Sequence, residues 1–502
     1  MVETLLLAVD HLLQWPVIAA LMIGSIGGVI IGAIPGVGPA VAIAILLPAT
    51  FSMEPLVGLT LLLGIYGSSM YGGSLPAILI NTPGTAVNAL TTYDGYPMTQ
   101  KGQALRALGL AYGASFVSAI VSILVLILMS PILAKIAPMF GSREIFLAAL
   151  LGIVLVIVAH KGQMAAAGMM AGLGILLQSV GMEPVNFTMR YTFGMGWLTS
   201  GLDLIVVVLG LFAISQAFVL MVEPESAPNA APVRGSMFKA IREVLGFKRV
   251  ALTGSGYGVM MGMIPGVGEF TAQFLSYTSA RRLSKTPEDF GKGSPEGLVA
   301  SESANNAVPA AAMIPLLALG IPGEALTAMM LSVFYVHNVV PGPGLFQNQL
   351  DFVYALYLAL IVLNVIVILW MIVSSNLLIH LIRVPTRFLG MGILVLSFVG
   401  IYSLRNSPVD CLIAAGFGVF GVILKRLNLP VVPIILGMVL GNIMEVKLRA
   451  AAARIDTPFD MVNRPISALI AIAILFIVIQ ALRGTIRDWN EDITPTADRQ
   501  QS

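Results

Sequence analysis

The chain of 502 residues is 57% hydrophobic and 10% charged, with a formal net charge of +2. A soluble globular chain carries roughly 25% charged residues, so the soluble enzyme classes are excluded, and the near-neutral balance excludes the basic field that nucleic-acid binding requires. The single cysteine, Cys411, rules out an internal disulfide and a cysteine-built metal site, and four histidines leave little for a histidine-built one.

At about 20 residues per span, the length allows on the order of 10–14 membrane helices. Residues 1–15 contain Glu3, Asp10 and His11 but no Lys or Arg, which argues against a cleavable signal with its basic n-region. Apolar runs then predict helices near 16–34, 55–80, 104–133, 144–160, 164–180 and 201–222. A second set is predicted near 250–264, 305–333, 352–379, 387–404, 409–424 and 430–445, with a last helix at 466–482. Between the sets, residues 223–249 are polar. Met237, Ile241 and Leu245 recur every fourth residue there, with Lys239, Arg242 and Glu243 on other faces. This predicts a short amphipathic helix, lying on the membrane or solvated as a linker. A second polar loop spans 281–297, and the tail after Arg483 is polar.

The most specific signal is self-similarity. Gly24, Gly28, Gly32, Pro35, Gly36 and Gly38 recur as Gly254, Gly258, Gly262, Pro265, Gly266 and Gly268, at a constant offset of 230 residues. Further on, Pro76, Pro83 and Gly84 recur as Pro315, Pro322 and Gly323, at an offset of 239, and Arg143 is matched by Arg387 at 244. The growth in offset fits the longer 281–297 loop. The expected fold is therefore an all-α polytopic membrane protein of two homologous halves with broken, re-entrant helices. Its expected organisation is a first repeat over 1–222, an interfacial linker over 223–249 and a second repeat over 250–446. A loop and extra helix follow over 447–482, then the tail over 483–502. No basic residue precedes Lys101, while Arg234, Lys239, Arg242, Lys248 and Arg249 crowd the linker. The positive-inside rule then puts the first residues outside and the linker inside, so the halves are read as inverted rather than parallel. Lys447, Arg449, Arg454 and Arg464 lie on the opposing side of that ledger.

The candidate sites are the helix breaks. Pro35 and Pro265 each remove a backbone donor inside an apolar run, and Gly36, Gly38, Gly266 and Gly268 permit unusual backbone angles. Irregular backbone at membrane depth is tolerated where it is buried in protein or lines a cavity. These two breaks are candidate coupling-ion sites, the alternative being kinks that serve packing. Asn81, Thr82, Pro83, Gly84 and Thr85 offer an amide, two hydroxyls and a helix break, which can bind a carboxylate without a full charge in the membrane. The counterpart Gly320, Ile321, Pro322, Gly323 and Glu324 keeps the break but loses the Asn and Thr side chains. Asn305 and Asn306 at the mouth of the 305–333 run either cap a helix or ligate substrate or ion. Ser68, Ser69 and Ser74, and the glycine ladders, read first as close helix packing. Asp203, Asp351 and Asp410 read as interfacial, His160 with Lys161 as a helix end, and Glu269, directly after the second break, as the acid worth testing. No His-Glu-x-x-His, Gly-x-Ser-x-Gly or Walker A pattern is present, and the chain is expected not to be an enzyme.

The segments GAIPGVGPAVAIAILLP, YGGSLPAILINTPGTAVNALTTYDGYPMTQKGQA, SESANNAVPAAAMIPLLALGIPGEA and LGMVLGNIMEVKLRAAA resemble the large membrane (permease) subunit of the tripartite tricarboxylate transporter family. The resemblance implies a bacterial inner-membrane permease that works with a periplasmic solute-binding protein and a small membrane subunit. It further implies uptake (symport) of a carboxylate such as citrate, driven by Na+ or H+, with no other cofactor and no metal centre. Glu269-Phe270 departs from the smaller residues many relatives carry there. The rival expectations are a passive anion channel or another polytopic protein without coupled transport.

Overall fold

The computed structural model describes residues 2–34, 37–160, 162–183, 187–222, 236–381, 386–455 and 457–493. Pro35, Gly36, Lys161, the linker up to residue 235 with Arg234, and the tail beyond 493 lie outside the described residues.

The first half of the chain forms α1 (Val2–Leu13), α2 (Trp15–Ala33), α3 (Pro39–Thr50), α4 (Pro55–Ile80), α5 (Ala89–Gln100), α6 (Ala104–Ile136), α7 (Ser142–Ala159) and α8 (Met164–Gln178). A hairpin of two-residue strands, β1 (Gly181–Met182) and β2 (Met189–Arg190), pairs antiparallel with Gly181 opposite Arg190, so the fold is not purely helical. There follow α9 (Leu204–Val208), a π-helical stretch (Leu209–Ile214) and α10 (Ser215–Val222). After the linker come α11 (Met237–Arg242), α12 (Lys248–Gly262), α13 (Gly268–Leu283), α14 (Pro295–Leu319), α15 (Ala325–Val336) and α16 (Pro343–Asn348). The last five are α17 (Leu350–Leu381), α18 (Thr386–Arg405), α19 (Pro408–Arg426), α20 (Val432–Ala452) and α21 (Pro465–Ile493).

Among the described residues, nine helical segments are long and apolar enough to cross a membrane. Every one of the thirteen expected runs is helical, but four fall short of that test. Two of them, α8 and α12, have only 15 residues each. Helix α20 carries Glu445, Lys447 and Arg449. The run 305–333 is not one helix, because Gly320 ends α14 in the left-handed region at φ 70° and α15 starts afresh after Glu324. Nor do Asn305 and Asn306 cap anything. Helix α14 begins earlier, where Ser294 Oγ accepts the Gly297 N–H (3.2 Å) ahead of Pro295 at the first turn. Both asparagines are buried inside it.

The glycine ladders fix how the centre packs. Gly24 lies against Leu61 and Gly64, Gly28 against Ile65 and Ser68, and Gly32 against Ser69, all on α4. The order of contacts makes α2 and α4 parallel, and a Cβ at Gly24 would sit 2.5 Å from Leu61 O. Helix α3 must then turn back, and Thr50 at its end packs on Gly58 near the start of α4. The second half repeats the arrangement. Gly254, Gly258 and Gly262 face Ser303, Ala307 and Ala311 on α14, and Tyr277 of the returning α13 meets Gly297 near the start of α14. Each pair, α2–α3 and α12–α13, is thus a helical hairpin.

Helices α4 and α14 run in opposite senses. Thr99 at the far end of α5 donates to Ile78 O (2.7 Å), near the end of α4. On the same α5, Asp94 Oδ1 accepts the N–H groups of Gly291 (2.9 Å), Gly293 (2.9 Å) and Ser294 (2.7 Å), so α14 starts where α4 finishes. Helix α11 and the 3-10 turn Glu243–Phe247 after it dock on α6 with Met237, Ala240 and Val244 buried, while Leu245 is exposed. The buried stripe is therefore offset from the expected Met237, Ile241, Leu245 set. Gly109 and Gly113 of α6 admit the close approach, and Arg106 Nη2 pairs with Glu243 Oε1 (2.6 Å).

Candidate functional site

Four chain breaks meet at one cavity of about 320 Å³. Gly38 and Pro39 enter its wall from the turn into α3, and Thr85 from the segment that folds back after α4. Gly266, Gly268 and Glu269 come from the turn into α13, and Glu324 with Ala325 from the start of α15. His160, at the end of α7, and Phe212, in the π-helical stretch, close other sides. Three helix starts (α3, α13 and α15) face this space. A helix start presents unpaired N–H groups and the positive end of the helix dipole, both favourable to anions.

Local backbone chemistry builds these turns. Asn81 takes the left-handed conformation at φ 57° and ends α4, as Gly320 ends α14. The Thr82 N–H returns to Pro76 O (3.4 Å) and the Ile321 N–H to Pro315 O (3.3 Å), the same six-residue closure in each copy. Gly84 then donates to Gly73 O (3.3 Å), which brings the chain back beside α4 and seats Thr85 at the cavity. Gly266, at φ 80°, donates to Gly323 O (2.6 Å), so the second hairpin tip is tied to the break before α15. Val156 fills the space where a Cβ on Gly266 would lie.

The predicted site residues divide sharply. Gly38, Thr85, Gly266 and Gly268 line the cavity. Pro265 packs beside Gly152 at a smaller neighbouring void. Asn81 and Thr82 are exposed at the end of α4, where Thr82 Oγ1 donates to Ile80 O (3.3 Å), and Pro83 is half-buried. Gly84, Gly320, Pro322 and Gly323 are buried in the turns and shape the cavity from behind. Asn305 and Asn306 lie away from the lining, and the Asn305 amide has no hydrogen-bond partner among the described residues.

Behind Thr85 lies a polar network that the sequence does not announce. Thr85 Oγ1 donates to Asn88 Oδ1 (2.5 Å), and Asn88 Nδ2 donates to Ser74 Oγ (3.2 Å). Ser74 Oγ donates in turn to Glu302 Oε2 (2.9 Å). The fully buried Glu302 also accepts from Thr91 Oγ1 (2.5 Å) and Ser115 Oγ (3.1 Å), and Asn306 Nδ2 donates to Ser115 Oγ (2.7 Å). The described hydrogen-bond partners of this carboxylate are all neutral. The one available signal was a Glu set among Ser301, Ser303, Asn305 and Asn306 without a basic neighbour. At the edge of the assembly, burial pushes the Asp94 carboxyl above its ordinary range, while the N–H of Ser294, the Tyr277 hydroxyl and the N–H groups of Gly293 and Gly291 pull it down.

A second cavity, of about 800 Å³, lies further along α15 and α20, lined by Ser332, Tyr335 and Asn442 and bordered by Met182, Arg190 and Thr199. Arg190 Nη1 pairs with Glu445 Oε1 (2.6 Å), and Arg449 Nη2 bridges Glu445 Oε1 (3.1 Å) and Glu183 Oε1 (3.3 Å), clamping the hairpin to α20.

Multiple apolar helices around a cavity made from helix breaks define a multi-pass membrane protein built like a transporter. Residues 18–436 match the Tripartite tricarboxylate transporter TctA family. The chain belongs to that family, and is a component of a tricarboxylate transporter. The tripartite family implies partnership with a solute-binding protein and a small subunit. A relative from Agrobacterium vitis, described as an uncharacterized 52.8 kDa protein in the TAR-I ttuC' 3' region, is 34% identical over 477 residues, 94% of each chain. A second, from the TAR-II ttuC' 3' region of the same organism, is 32% identical over 238 residues, covering 47% of this chain and 98% of the relative. No solved structure matches the chain.

Proposed function

We propose that this chain is the permease subunit of a binding-protein-dependent system, and that it moves a small di- or tricarboxylate inward across the bacterial inner membrane, driven by a Na+ or H+ gradient. The observation that carries the proposal is the convergence of four breaks, from distant parts of the sequence, on one cavity of about 320 Å³. That size lies at the small end of ligand pockets, roughly 300–1,000 Å³. The site reading follows: the segments around Thr85 and Gly320–Gly323 hold the carboxylates, and the turns at Gly38 and Gly266–Gly268 serve the coupling ion. Two related halves in inverted orientation are part of the proposal. The matching hairpins and the opposed senses of α4 and α14 support it, as does the offset of 230 between the glycine ladders. Inverted repeats give alternating access a natural basis, since two equivalent packings can exchange roles.

The test is uptake of labelled citrate by vesicles holding both membrane subunits, with solute-binding protein supplied and Na+ or proton gradients imposed separately. Accumulation above the outside concentration, abolished by collapsing one gradient, is the expected result. Equilibration without accumulation would favour the passive anion channel. Full-rate, high-affinity uptake without the binding protein would remove the tripartite dependence.

A further inference from the structure

The cavity that receives an anion is charged in the wrong sense. Among the described residues that line it there is no Lys or Arg, yet two carboxylates are present, on Glu269 and Glu324. Both are buried, each 7% exposed. Glu324 Oε1 has no hydrogen-bond partner among the described residues. Glu269 Oε1 accepts one bond, from the Tyr66 hydroxyl of α4 (3.3 Å). The other titratable side chain facing the space is His160, whose Nδ1 donates to Val156 O (2.7 Å). Helix starts offset part of a buried negative charge, by about 0.3–1 kcal/mol each and up to about 2 when partly buried. Burying an unpaired carboxylate costs several kcal/mol, and a carboxylate substrate beside two more adds repulsion.

We propose that Glu269 and Glu324 form a monovalent-cation site on the cavity wall, and that the substrate enters only with the cation there. The inference rests on the transport reading above and deepens it by naming the residues that carry the coupling charge. The geometry suits this role. Glu269 sits on the second hairpin and Glu324 on the break before α15. The Gly266–Gly323 hydrogen bond ties those two elements together, so a cation held between the carboxylates joins the tip to the break. The charge arrives either as Na+ or as protons on the carboxylates.

The experiment uses the purified chain in nanodiscs without carboxylate. Sodium chloride is titrated against choline chloride at constant ionic strength, and melting temperature and retained ²²Na+ are read. If Na+ is the source, the wild type is stabilised saturably, and Glu324→Gln and Glu269→Gln weaken the apparent Na+ affinity by about tenfold or more, a loss of about 1.4 kcal/mol or more. If protons are the source, Na+ has no effect; in vesicles the Gln variants then lose the accumulation that a pH gradient drives in the wild type. Should the variants not fold, wild-type labelling by dicyclohexylcarbodiimide, mapped by mass spectrometry, replaces them. Protection of Glu324 by Na+, or reaction at Glu324 that falls as pH rises, supports the site. Variants with a wild-type Na+ response and wild-type coupled accumulation overturn it, as does labelling indifferent to both ions. Na+ binding through these residues without any carboxylate transport would overturn the transport reading and leave the cation site standing. Coupled accumulation by both Gln variants would do the reverse.

Discussion

Thr85 and Thr82 lie three residues apart in one polar stretch, but their surroundings differ completely. Thr85 is buried at the cavity and hydrogen-bonded to Asn88, while Thr82 is exposed and bonded only to its own helix end. A hydrogen bond involving a charged group contributes about 1.5–3 kcal/mol, and a neutral one about 0.5–1.5. Thr85→Ala is therefore expected to raise the apparent KM for citrate about tenfold, by freeing Asn88 and removing a polar group from the wall. Asn81→Ala and Thr82→Ala are expected to leave it within about twofold, which vesicle uptake against citrate concentration measures. Equal losses for all three would show that the exposed turn also meets the substrate. Glu302→Gln keeps size but loses the charge on which three hydroxyls converge, so it is expected to lower the melting temperature. Glu302→Ala is expected to lower it more, because it strands three buried donors at about 1–3 kcal/mol each.

At the scale of elements, the hairpins depend on surfaces without side chains and the α14 start depends on one acid. A Cβ at Gly28 would lie 2.7 Å from Ile65 Cα, and backbone cannot yield as a flexible side chain can. Gly28→Leu is expected to cost more than the usual ~1–3 kcal/mol of overpacking, read as loss of correctly folded protein by fluorescence-detected gel filtration. Asp94→Ala removes the acceptor for three N–H groups and the Tyr277 hydroxyl, and is expected to lower the melting temperature well beyond Asp94→Asn, which keeps one acceptor oxygen. These elements also show what a sequence can disclose. The breaks were legible because Pro and Gly punctuate a chain locally, and the ladders because a spacing of four marks one helix face. The start of α14 at Pro295 was not legible, since the polar residues between 295 and 306 precede the apolar run and do not extend it. The Glu302 network was not legible for a different reason. Its members lie on α4, the turn that follows it, α5, α6 and α14, and only tertiary packing gathers them.

At the scale of the whole molecule, sidedness is the open prediction. Helix α14 starts where α4 ends, and α11 packs near the start of α6, which follows directly on that same end. Cysteines placed at Thr4 and Lys239, in a Cys411→Ser background, are expected to react with impermeant maleimide from opposite sides of the membrane. Labelling of both from one side would leave the inverted scheme without support. Of the basic residues that count against the positive-inside pattern, Arg449 has a structural task, since together with Arg190 it holds the β-hairpin on α20.

The two glycine ladders impose a further constraint on how this chain can vary. A position where any Cβ meets neighbouring backbone or tightly packed atoms is closed to nineteen of the twenty amino acids, whatever the host or the substrate. Drift at those six places is blocked, whereas the lipid-facing surface of α21 is free to exchange one apolar residue for another. In a saturation mutagenesis of the full chain scored by growth on the transported carboxylate, intolerance should fall on two combs with teeth four residues apart, the second a displaced copy of the first. The combs would be visible before the substrate is identified, because they report the seams of the machine and not its cargo.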